Sequence, residues 1–282
     1  MKLKTIIVLL ISYFVILILF KGTAKTNEKL IGSLQYLIPI IILAFLFYRW
    51  KKKYNPKSDN ALSKANSKFQ IPSRYNYMLS LDPTKPIDFG IKTVWIAVQA
   101  NSAEEVANYL ELNNQSSVDW VEGTIRAYEG EIFVTPKLDQ WILIHGMSLP
   151  TPDSKCGNQE CVALLNYLSG KFGEAYIFGN HRVSSVAFWS KSINGELERL
   201  YVVADGTGET IGKPSKLEQK WNLIDLTPGV ETPSEEDWDK YLYPGEDEVI
   251  EMAKYWSINP LEISKLQNVE ENGIIGRINN LL

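Results

Sequence analysis

The chain has 282 residues, 45% of them hydrophobic and 22% charged, with a formal net charge of −4. The charge is split: residues 1–57 hold ten Lys/Arg against Glu28, a net +9, leaving 19 basic and 32 acidic residues in 58–282, a net −13. So acidic a body argues against DNA or RNA as a partner, and two histidines with two cysteines spaced C-x4-C lack the spacing of a four-cysteine or mixed cysteine–histidine metal site.

In chain order, the first elements are two charge-free apolar stretches, 5–20 and 30–48. As helices they span about 24 Å and about 28 Å, close to the ~30 Å hydrocarbon core of a bilayer. They predict a two-pass transmembrane anchor over 1–53, with Tyr36, Tyr48 and Trp50 at the interfaces. Lys2 and Lys4 before the hairpin and Arg49, Lys51, Lys52, Lys53 and Lys57 after it outnumber Lys21, Lys25 and Lys29 in the loop. That asymmetry predicts both ends inside, a multi-pass protein of the inner membrane, and a cytoplasmic soluble domain. A rival reading treats the first stretch as a signal peptide cut after Gly22 and Ala24, which leaves the domain on the same side. Residues 54–72, rich in Asn, Ser, Lys and Pro, read as a polar tether.

Residues 73–282 are enough for one well-buried soluble domain. The β-branched run 91–98 around Trp95 predicts a buried strand. Ser102 with Glu105 forms a capping box that starts a helix running to 110. The segments 120–128 and 131–145 read as an antiparallel set, 157–171 as a helix, and 174–180, 182–191 and 196–204 as strands. Asn194-Gly195 predicts a tight hairpin turn, and Asp205-Gly206-Thr207-Gly208 a flexible turn ending its strand. Two short helices are expected near 234–241 and 246–257. The expected class is α+β: a two-helix transmembrane hairpin, then one soluble domain with a largely antiparallel sheet and flanking helices.

Particular runs carry a resemblance. They are Trp95-Ile96-Ala97-Val98, Phe133-Val134-Thr135-Pro136, Trp141 with Gly146, and Leu168-Ser169 followed by Phe172-Gly173-Glu174. His181-Arg182-Val183 with Trp189, and Trp256-Ser257-Ile258-Asn259-Pro260, complete the set. Over most of the soluble region the pattern resembles a family of bacterial proteins of no established function. The resemblance implies a fold and no mechanism.

Candidate chemistry is sparse. Cys161 falls near the start of the expected helix, where the macrodipole favours a thiolate. His181 or His145 could serve as its base, with Asp139, Glu174 or Asn180 orienting the ring. His181 and Arg182 near Trp141 form a candidate binding pocket. The acidic run at 231–239, with Glu235, Glu236 and Asp237 beside Trp238, is a candidate clasp for a basic protein partner. No cofactor and no metal is expected. The reading these features favour is a membrane-anchored, non-catalytic interaction or regulatory module facing the cytoplasm, one version being a toxin-neutralising immunity protein. The alternatives are a membrane-bound hydrolase using Cys161 and His181, and a binder of small molecules or lipid headgroups.

Overall fold

The computed structural model describes residues 69–152, 155–230 and 239–278. Nine strands run through them: β1 Val94–Val98, β2 Asn113–Asp119, β3 Ile132–Val134, β4 Ile142–His145, β5 Glu174–His181, β6 Val186–Ile193, β7 Glu196–Ala204, β8 Thr207–Ile211 and β9 Asn272–Arg277. The helices are α1 Ala103–Tyr109, α2 Trp120–Tyr128, α3 Lys155–Phe172, α4 Glu218–Trp221 and α5 Glu246–Trp256, with a 3-10 helix at Ser73–Ser80. The strands form one sheet in the order β2-β9-β3-β4-β1-β5-β6-β7-β8, and every neighbouring pair is antiparallel.

Strand alternation sorts the side chains into two unlike faces. The register places Phe133, His145, Trp95, Phe178, Trp189 and Tyr201 in a single cross-strand row. One residue along, Val134, Ile144, Ile96 and Ile177 form the matching row on the opposite face. The aliphatic face is covered by α1, through Val106 and Ala107, and by α3, through Cys161, Leu164, Leu165 and Leu168. The aromatic face is covered by α2 and α5. Trp120 meets the Phe133 ring edge-on at 5.6 Å, and Trp256 packs on Tyr176 and Phe178 at 5.8 Å and 6.0 Å.

These observations correct several expectations. No helix among the described residues is long and apolar enough to cross a membrane. The longest, α3, has 18 residues but carries Asn158, Gln159, Glu160, Asn166 and Lys171, so it is amphipathic and lies on the sheet. The fold class built on a transmembrane hairpin is therefore corrected to a nine-stranded antiparallel sheet with few helices. The multi-pass inner-membrane placement and its cytoplasmic orientation lose their support with it. The stretches 5–20 and 30–48 and most of the tether lie outside the described residues.

Residues 120–128 form a helix rather than a strand. Asp119 caps it, accepting from the Glu122 backbone N–H at 2.8 Å, a local bond that outweighs the β propensity of Trp120, Val121, Thr124 and Ile125. The strand expected from 182 begins instead at Val186, after a 3-10 turn at Arg182–Ser184. Strands β2, β8 and β9 have no counterpart among the elements expected from sequence. Asp205-Gly206, with φ of 49° and 78°, is the tight turn between β7 and β8 rather than a flexible end. The Ser102 cap and the Asn194-Gly195 turn stand at the expected positions.

Candidate functional site

A cleft of about 710 Å³ opens where the 3-10 helix Ser73–Ser80, the loop 81–92 and α2 converge. Its size falls in the range of small-molecule sites. The upper wall is tied to α2 through Glu129, which accepts from the Tyr75 hydroxyl at 2.8 Å and pairs with Arg74. The rim carries large apolar groups in solvent: Tyr77 is 70% exposed, Leu81 44% and Ile91 41%. Clustered exposure of this kind marks a recognition surface more often than scattered single residues do.

The inner wall is α2. Thr124 backs the cleft wall at 1% exposure, and its Oγ1 is sealed from solvent without a hydrogen-bond partner. A helical threonine ordinarily returns its hydroxyl to the carbonyl one turn back; this one does not. One turn on, Tyr128 donates its hydroxyl to the Ile91 carbonyl at 3.2 Å. Burial pushes its pKa up to about 12, so it is a neutral phenol at ordinary pH. Behind Tyr128 lies His145, fully buried, stacked on Phe89 at 4.1 Å with the Tyr128 ring edge-on at 5.0 Å. Its Nε2 shares a 2.8 Å hydrogen bond with Thr93 Oγ1, and its Nδ1 has no partner. Burial lowers the His145 pKa to about 3.

The loop that closes the cleft is held from below by Asn180, 4% exposed at the end of β5. Its Oδ1 accepts from the Lys92 backbone N–H at 2.8 Å, its Nδ2 donates to the Gly90 carbonyl at 2.6 Å, and its own N–H donates to the Thr93 carbonyl at 3.2 Å. The clamp explains how Lys92 keeps a φ of 52°, a region a non-glycine residue enters at some cost. Gly90, at φ 124°, is required: a Cβ there would stand 2.9 Å from both Ile250 and Pro260.

The residues singled out from the sequence do not converge. Cys161 is fully buried in the aliphatic core, and burial raises its pKa to about 12, opposite to an activated nucleophile. His181 ends β5 with its Nδ1 on Ser184 Oγ at 2.9 Å. Arg182 pairs with Glu246 at 3.2 Å. Trp141 precedes Ile142, which is level with the Ala175 end of β5 through Val98. The strand rise puts His181 on the order of 20 Å away at the other end. Trp141 packs on Tyr176 at 5.5 Å, 5% exposed, as a core residue. Glu235, Glu236, Asp237 and Trp238 lie outside the described residues. Among those described, no group of three His, Cys, Asp or Glu could hold a metal ion.

No family model, no curated protein and no solved structure matches the chain. The function therefore rests on the site itself. The sequence pattern points to neither Lys92 nor Thr124, and to Asn180 only as a ring-orienting partner. The one local signal is Gly90, a glycine just before an apolar strand.

Proposed function

We propose that this protein is a non-catalytic binding module whose cleft, between the 3-10 helix Ser73–Ser80, the loop 81–92 and α2, receives a small molecule. The observation that carries the reading is the cleft itself, a concavity of about 710 Å³ whose rim exposes Tyr77, Leu81 and Ile91. Apolar rim and concave shape together are the anatomy of a small-ligand pocket. Both cleft walls are fixed by hydrogen bonds, Glu129 on one side and Asn180 on the other, which supports a pre-formed site.

The test is a thermal-shift screen of the full-length protein and of Leu81→Trp, whose indole is expected to fill the cleft from its rim. A compound that stabilises wild type by binding the folded state is expected to stabilise the variant less. A ligand shift undiminished in the variant would overturn the reading.

A further inference from the structure

The sheet ends on two edge strands, β8 and β2, and the fold treats them differently. On β8 the Gly208 N–H donates outward to the Leu226 carbonyl at 3.2 Å. Arg199 Nη1 donates to the Ile211 carbonyl at 3.0 Å and to the Gly212 carbonyl at 3.3 Å, so the far end of that strand is occupied as well. β2 has no such cover. Among the described residues, no hydrogen bond joins the backbone of 113–118 to any element other than β9. Open edges are ordinarily guarded by lysine, proline or charge. β2 reads Asn-Asn-Gln-Ser-Ser-Val-Asp, and its single charge, Asp119, is engaged in capping α2. The one protective device lies at its start. There the register with β9 shifts between Asn113 and Ser116, and Asn114 sits at φ 54°, which bends that part of the edge away.

We infer that β2 is a self-association edge: two copies of the chain pair this strand antiparallel across a two-fold axis, joining their nine-stranded sheets into one. Each copy presents the row of free N–H and C=O groups that the other lacks. A two-fold perpendicular to the sheet sets one residue against itself, and Ser117, exposed and uncharged in the open part of the strand, is that residue. Ser116 then faces the partner's Val118, and Gln115 faces the partner's Asp119, an amide against a carboxylate. The two Asp119 carboxylates stand about 14 Å apart along the strands, beyond the ~8 Å screening length at physiological salt. The occupant is a second copy because this edge is neutral in a region, 58–282, that carries a net −13: here two copies approach with the least repulsion.

Analytical ultracentrifugation of the full-length protein is expected to show a dimer at micromolar concentrations. Ser117→Lys, which opposes two ammonium groups at an exposed position, is expected to weaken the dimer at least tenfold with the circular dichroism unchanged. Ser117→Glu is expected to do the same, and an equimolar mixture of the two variants to recover the dimer. Oxidation of Ser117→Cys is expected to cross-link two copies, because directly opposed residues lie about 4.5–5.5 Å apart, within reach of a disulfide. Gln115→Cys, about 14 Å from its own copy, is expected to stay at the background of wild type, which carries Cys156 and Cys161. A wild type that sediments as a monomer would overturn the inference. A dimer that Ser117→Lys leaves intact, or cross-linking as efficient at 115 as at 117, would overturn it by placing the interface elsewhere.

Discussion

His145 sits in the aromatic row with one ring nitrogen on Thr93 and the other bare, under Phe89 and Tyr128. Its pKa in the fold, lowered to about 3 by burial, lies below the ordinary value near 6.5, so on acidification the unfolded chain takes up this proton first. The stability His145 contributes is therefore whole above about pH 6.5 and is lost as pH falls toward 3, at up to roughly 1.4 kcal/mol per pH unit. The ring carbon signals of His145 in an NMR titration are expected to stay those of the neutral form down to pH 4. The urea midpoint of wild type is expected to fall more steeply than that of His145→Phe between pH 6.5 and 4. An ordinary titration near 6.5 would contradict this. At the same scale, Glu218 is 2% exposed and accepts from Arg199 Nη2 at 2.7 Å, from Trp189 Nε1 at 2.9 Å and from the Ser215 N–H at 2.6 Å. Glu218→Gln leaves Arg199 without its counter-charge inside the protein. The expected loss is about 3–5 kcal/mol in urea denaturation; a loss under about 1 kcal/mol would show that the site rehydrates.

At the scale of elements, α2 shows how closely helix and sheet are fitted. A Cβ on Gly123 would lie 2.4 Å from Phe133 Cε2, so the helix lies on the aromatic face through a glycine. Alanine at this position would gain about 1 kcal/mol of helix propensity, but overpacking costs about 1–3 kcal/mol. Gly123→Ala is therefore expected to lower the urea midpoint, with Gly123→Ala/Phe133→Leu recovering part of the loss. A Gly123→Ala variant more stable than wild type would mean that the two elements separate freely. The same helix marks where local reading runs out. The Ser102 cap is legible because an apolar helical pattern follows it. The Asp119 cap is hidden by the β-prone residues after it. Strand β2, Asn113–Asp119, is mostly exposed and carries no strand signal of its own; it is a strand because β9 pairs with it.

At the scale of the whole molecule, one row of paired residues links Phe133 to Tyr201 across six strands. The described residues from 71 onward make one compact unit, and both faces of the sheet depend on the same strands. Unfolding is expected to be one transition, with tryptophan fluorescence and far-ultraviolet circular dichroism superimposing along a urea titration. Two separated transitions would show that the halves of the sheet are independent. The sequence by itself determined what short-range chemistry can fix. It determined the tight turn at Asn194-Gly195, the Ser102 cap, the buried strand around Trp95 and an acidic body for 58–282, because each depends on residues a few positions apart or on composition. The tertiary structure alone decided the burial of Cys161, the separation of Trp141 from His181, and the helical state of 120–128. It alone brought together Lys92, Thr124 and Asn180, which are far apart in the chain. Strand order and register set those distances, and both follow from long-range pairing that no local window contains.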